Sequence, residues 1–144
     1  MNTAVSGSAL ETRPSKALGV SLWIAQGLLA AAFAMGGVMK ATTPIAELTE
    51  KMAWPGAVPP ELVRFIGVSE LAAAVGLILP SVTRIRPVLT PLAAAGLVVV
   101  MVLAAGFHVM RGEMQALPIN FVLGGLAAFV AWGRFRKAPI GSRA

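Results

Sequence analysis

Four apolar runs, each long enough to cross a lipid bilayer, take up most of this 144-residue chain. The first is Leu18–Val38. The second begins near Pro60 and ends at Leu79, before Pro80. The third is Val88–Val109, and the fourth starts at Leu117 and reaches about Phe135. At about 1.5 Å of rise per residue, about 20 residues span a hydrocarbon layer about 30 Å thick. None of the runs alternates apolar and polar residues as the strands of a membrane barrel do. Each is therefore read as a helix, whose backbone groups are satisfied within the segment. Pro87 and Pro91 fall at the start of the third run, where proline is tolerated. The expected fold is all-α: a polytopic four-transmembrane-helix bundle over residues 17–135, with connections too short for a second domain. Residues 1–16, with their Ser, Thr, Gly and Pro, are expected as a flexible cytoplasmic N-terminus, and residues 136–144 as a basic cytoplasmic tail.

Composition supports this reading. The chain is 57% hydrophobic and 12% charged, whereas a soluble domain carries about 25% charged residues. That excludes both a water-soluble globule and disorder. The net charge of +6 would suggest nucleic acid in a soluble protein. Here the basic residues sit between apolar runs, so they read as orientation signals. The lipid bilayer is the expected partner and nucleic acid is not. One side holds Arg13, Lys16, Arg84, Arg86, Arg134, Arg136, Lys137 and Arg143; the other holds Lys40, Lys51 and Arg111, with Arg64 just inside the second run. By the positive-inside rule both termini are cytoplasmic, with Trp23 and Trp132 near that interface. Arg13 and Lys16 before an apolar stretch, and Ala32-Phe33-Ala34, also have features of a cleaved signal, but the apolar run continues past the triplet. There is no cysteine, which removes disulfides, iron–sulfur clusters, thiolate metal sites and thiol redox chemistry.

The longest outer connection is Met39–Pro59. Thr43-Pro44 reads as an N-cap and first helical residue, with Ile45, Leu48 and Met52 following at helical spacing. A short interfacial helix near Pro44–Met52 is expected to shield the outer mouth. Met52, Trp54 and Pro55 are candidate lid residues; the alternative is a structured linker with an interfacial tryptophan. Gly36-Gly37, Ala72 with Gly76, Ala104-Ala105-Gly106 and Gly124 with Ala128 permit close helix crossings in a compact left-handed bundle, and further small faces could serve a homo-oligomer.

Five polar side chains within or at the ends of the runs are candidates for ligand binding or proton exchange: Gln26, Lys40, Glu70, His108 and Asn120. A carboxylate at the middle of a span costs at least about 2.5–3.5 kcal/mol, so Glu70 must face the interior, be paired or be protonated. Side chains lean towards the N-terminus of their helix. Lys40, after an outward helix, and Glu70, on an inward one, therefore lean towards each other, directly or through one water. His108 and Asn120 lie at the outer ends of the third and fourth runs, within the same leaning. Gln26 and Asn120 also read as interhelical hydrogen-bonding groups, His108 as an interfacial histidine, and Arg64 as snorkelling. One histidine without cysteine speaks against a metal site, and no phosphate loop or hydrolase elbow is present. The catalytic residues, if any, are not legible.

Several segments together resemble the DoxX-like family of small four-span bacterial membrane proteins. They are Gly36-Gly37-Val38-Met39-Lys40, Trp54-Pro55-Gly56, Gly67-Val68-Ser69-Glu70-Leu71 through Gly76-Leu77-Ile78-Leu79-Pro80, and Phe107-His108. The resemblance runs over about Leu18–Trp132. It implies a bacterial inner membrane protein. It also implies association with quinone-linked oxidoreductases, some relatives being subunits of thiosulfate:quinone oxidoreductase. Lacking cysteine, this chain has no thiol with which to handle sulfur. The expectation is a redox-associated accessory protein binding a quinone or another small apolar ligand near the outer leaflet, with a redox partner protein. The alternatives are a non-enzymatic scaffold recruiting partner proteins, or an oligomeric small-solute or proton path.

Overall fold

The computed structural model describes residues 13–143. The flexible segment expected before residue 17 therefore lies almost wholly outside the described residues. Five helices follow one another: α1 (Lys16–Thr42), α2 (Ile45–Lys51), α3 (Pro60–Thr83), α4 (Leu89–Met110) and α5 (Leu117–Trp132). Four of them are long and apolar enough to cross a membrane, the last extended by its flanking turns to Met114–Lys137. This is the all-α four-span bundle read from the sequence, with no strand among the described residues.

The helix ends explain where the sequence reading was short. Ser15 caps α1, its hydroxyl accepting from the Leu18 N–H at 3.1 Å. The helix then runs past Val38 to Thr42 and stops because Pro44 disfavours helical geometry in the residue before it. Thr43 thus closes α1, its N–H donating to the Met39 carbonyl, and Pro44 takes the N-cap position of α2. The helix expected near Pro44–Met52 is there, one residue shorter at each end. α3 begins at Pro60, with proline in its first turn, and continues through Pro80 to Thr83. The sequence reading ended it at Leu79. Proline is tolerated inside such a helix when neighbours serve the backbone groups it frees. Here the Gln26 amide donates to the Leu77 carbonyl at 2.7 Å, one residue past the carbonyl that Pro80 leaves without a helical donor.

The long helices close into a ring in the order α1, α3, α4, α5, with α5 returning to α1. Ala25, Leu29, Phe33, Ala74, Leu77, Leu97, Met101 and Val130 meet at its centre. The opposite faces are no less apolar: Ile24, Leu28, Phe65, Val75, Val99, Leu103 and Phe121 are all exposed. Helices apolar on every side fit a surrounding of lipid, where packing rather than water drives association. Both ends of the described residues and the α3–α4 turn share one end of the bundle. Lys40, α2 and the α4–α5 turn share the other. At the first end the backbone N–H of Arg143 donates to the Arg84 carbonyl at 2.9 Å, tying the basic tail to the α3–α4 turn.

Candidate functional site

The site begins with a helix crossing. A Cβ on Gly37 would lie 2.8 Å from the Gly67 carbonyl oxygen, and one on Gly67 would lie 2.7 Å from the Ala41 nitrogen. Only two glycines allow α1 and α3 to approach this closely. The crossing delivers Lys40, in the last turn of α1, to Glu70, one turn further along α3. The Lys40 ammonium donates to both carboxylate oxygens, at 3.1 and 2.8 Å. Gly36 leaves the room: a Cβ there would sit 3.3 Å from the Lys40 Nζ and 3.5 Å from Glu70 Oε2. The contact is direct, without the bridging water that the sequence reading allowed, because α1 extends beyond Val38 and carries Lys40 as helix. Arg64 does not snorkel. Its guanidinium donates to the Lys40 and Thr43 carbonyls at 2.7 Å each, capping the last turn of α1 and fixing the lysine's backbone.

The pair lines a cavity of about 740 Å³ enclosed by α1, α3, α4, α5 and the turn at Trp54. Its walls are apolar, from Phe33, Ile66 and Val100 among others, and its polar groups are few: Lys40, Glu70, Ser69, His108 and Asn120. Along α4 it runs from Ala93 to His108, about 22 Å at helical rise. Phe65 and Leu103 line it while remaining 68% exposed on the outer surface, so it opens sideways between α3 and α4. Asn120 is 8% exposed, and its Nδ2 donor has no hydrogen-bond partner. Ser69, by contrast, spends its hydroxyl on the Phe65 carbonyl. Of the lid candidates, Trp54 lines the cavity and meets Phe107 edge-on, with ring centroids 6.4 Å apart. Pro55 is buried and Met52 half-buried, and neither lines it.

His108 does not reach Glu70. Its Nδ1 is 2.7 Å from Glu113 Oε2, and the other Glu113 oxygen accepts from Arg111 Nε at 2.8 Å. The hydrogen bond from His108, with help from Arg111, holds the Glu113 carboxyl below its usual range against a smaller opposing effect of desolvation. Sequence reasoning missed Glu113 because it reads as one more loop charge. The available signal was Gly112, two residues past the end of α4.

Gln26 belongs to a second polar group at the opposite end of the bundle. Its amide nitrogen reaches Ser81 Oγ at 3.2 Å, Ser81 shares a proton with Thr90 at 2.7 Å, and Arg134 Nε donates to Gln26 Oε1 at 2.6 Å. Arg134 is buried, lies over the Trp23 ring and donates to the Ala138 carbonyl at 3.2 Å. Leu29, Phe33, Ala74 and Leu97 fill the space between this group and the cavity end. So the structure brings together Lys40 and Glu70, places His108 and Asn120 on the same cavity, and leaves Gln26 apart. Among the described residues no three metal-ligating side chains gather.

No curated protein and no solved structure matches the chain. The sequence profile of the DoxX-like family matches residues 24–130, from the first span through nearly all of the fourth. It takes in the Gly37–Gly67 crossing, the Lys40–Glu70 pair, Trp54, His108 and Asn120 alike. On that match, and on its four apolar helices, this multi-pass membrane protein belongs to the DoxX-like family.

Proposed function

We propose that the protein binds a small amphiphile of quinone type in the cavity between α1, α3, α4 and α5, as an accessory to a redox partner in the bacterial inner membrane. One observation carries this reading. Asn120, a residue more than nine-tenths buried on the wall of an apolar cavity, has an amide donor without a partner. A buried donor without an acceptor costs about 1–3 kcal/mol, and a carbonyl oxygen supplied by a ligand removes that cost. The cavity volume falls within the range of about 300–1,000 Å³ that small-molecule sites occupy. Its polar groups gather at one end, under Trp54, and its apolar length opens to lipid. That arrangement suits a ring bearing oxygens at the head and a hydrocarbon tail that leaves between α3 and α4. The protein supplies binding and orientation, and electrons would come from the partner.

The proton-path reading is weaker. The two polar groups are separated along α1 by the stretch from Gln26 to Lys40, about 21 Å at helical rise, and the intervening core is apolar. The test is the Asn120→Ala variant. Extraction of the purified protein followed by mass spectrometry should find a bound quinone in wild type and a loss of about tenfold in the variant, the worth of one good hydrogen bond. Thermal stability should hold or rise, because no internal hydrogen bond is lost. Equal ligand occupancy in both proteins, or no apolar ligand in either, would reject the reading.

A further inference from the structure

Arg111-Gly112-Glu113 does more than end a helix. Gly112 has φ +70°, a conformation that side chains rarely adopt. Its N–H donates to the Val109 carbonyl at 3.0 Å, and the Glu113 N–H donates to the His108 carbonyl at 2.9 Å. These two bonds are the Schellman ending of a helix. They turn the chain back so that Glu113 meets His108 twice, once by backbone and once by side chain, with Oε2 2.7 Å from Nδ1. An ionised carboxylate only accepts, so Nδ1 carries the proton and a neutral ring keeps its lone pair on Nε2. Nε2 takes no hydrogen bond among the described residues, and His108 lines the cavity.

The charged groups around this ring are Lys40 from α1, Glu70 from α3, Arg111 at the end of α4, and Glu113 itself; α5 and the Trp54 turn contribute none. Glu70 is engaged through both oxygens by Lys40. Nε2 of His108 is thus an uncommitted proton acceptor on the cavity, and Asn120 Nδ2 an unpartnered donor in its wall.

We infer that His108 and Glu113 form a proton-accepting dyad, and that the head group this cavity takes includes a hydroxyl of phenol type, as in the reduced form of a quinone. The inference rests on the cavity being a ligand site, as proposed above. His108 Nε2 accepts the hydroxyl hydrogen bond and is the base to which its proton passes. The O–H bond breaks, an N–H bond forms, and the electron pair stays on the ligand oxygen. The Lys40 ammonium and the Asn120 amide face the negative charge left there, while Glu113 faces the positive charge on the ring. No electron moves in this step. Glu113 touches the imidazole rather than the ligand and is a positioning residue.

The full chain in lipid nanodiscs is titrated with decylubiquinol under anaerobic conditions and with decylubiquinone, following tryptophan fluorescence over roughly pH 5–8. A neutral ring accepts from a hydroxyl and a charged ring donates to a carbonyl. Quinol affinity should therefore rise with pH, by about tenfold for a hydrogen bond to a charged or ionising group, and quinone affinity should stay flat or fall. Glu113→Gln, which no longer fixes the proton on Nδ1, should weaken quinol binding several-fold at pH 8, with quinone binding nearly unchanged. His108→Gln, a second variant in case the first unfolds, should abolish the pH dependence for quinol. If both probes bind with the same pH profile in wild type and variants, the dyad is wrong and the cavity stands. If neither probe binds, the cavity reading fails with it.

Discussion

Lys40 and Glu70 each occupy a place that a lone charge could not hold. Their side chains are 13% and 7% exposed, and within a span each is tolerated through the other. Removing one member of such a buried pair costs about 3–5 kcal/mol, whereas replacing both by apolar residues is often neutral or better. Glu70→Ala should therefore lower thermal stability in detergent strongly, and Glu70→Gln, which keeps volume and an acceptor for Lys40, distinctly less. The double variant Lys40→Met with Glu70→Leu should recover most of the loss while failing to retain the proposed quinone. Equal melting of all three variants would show that the pair carries no weight in the fold. The pairing itself was legible, from a mid-span carboxylate and two helices whose side chains lean in opposite senses. What lay beyond sequence reasoning were the residues whose role depends on a turn. Glu113 and Arg64 read as ordinary end charges until the chain reversal at Gly112 and the open carbonyls of α1 give them partners. By sequence Arg134 is one more orientation signal. Its burial against Gln26 depends on packing between helices 108 residues apart in sequence, which no local pattern carries.

Between elements, glycine decides the geometry, and the positions differ in a way that can be measured. A Cβ on Gly37 would meet backbone and Leu71 within 3.0 Å, whereas a Cβ on Gly36 would press only on the mobile end of Lys40. Overpacking of a fixed contact costs about 1–3 kcal/mol, so Gly37→Ala should lower the melting temperature and separate Lys40 from Glu70. Gly36→Ala should do so much less. Gly27, with nothing within 4 Å of its Cβ position, should tolerate alanine and even gain about 0.5–1 kcal/mol from reduced backbone freedom in the unfolded chain. The sequence showed that such positions exist, since small residues are common in all four runs, but not which of them touch. The α4–α5 connection adds a pH dependence of its own. The Glu113 carboxyl titrates below its ordinary value of 4.5 in the folded protein. A group lowered in this way stabilises the fold above its unfolded value, and the contribution is lost as the pH falls through the folded one. Protection of the Glu113 amide against hydrogen exchange, relative to its intrinsic rate at each pH, should therefore fall on acidification below that ordinary value, ahead of the core amides. In Glu113→Gln this acid-induced step should be absent.

For the molecule as a whole, the basic residues argue for one orientation. Of the basic residues at the end that holds both termini, Arg134 is inside the bundle and Arg13, Lys16, Arg84, Arg86, Arg136, Lys137 and Arg143 are exposed. At the other end Lys40 is paired with Glu70 and Arg64 is spent on the carbonyls of α1, which leaves Lys51 and Arg111 exposed. Orientation is set by the Lys and Arg near the span ends, and the excess lies at the end that holds both termini. Aromatic placement agrees: Lys137 stacks on Trp132 and Arg134 on Trp23, both at the termini end, where indole rings sit at a headgroup boundary. We expect both termini in the cytoplasm, with the polar end of the cavity, under Trp54, towards the opposite face. Reporter fusions at Ile85 and Gly141 should be active only as cytoplasmic reporters, and fusions at Ala46 and Gln115 only as external ones. Cysteines introduced singly at the same four positions give an independent reading, because the chain has none of its own. An impermeant thiol reagent should label Ala46→Cys and Gln115→Cys in intact cells, and label Ile85→Cys and Gly141→Cys only after lysis. Labelling of Gly141→Cys in intact cells, with Ala46→Cys protected, would invert the topology and put the Lys40–Glu70 end of the cavity on the cytoplasmic side.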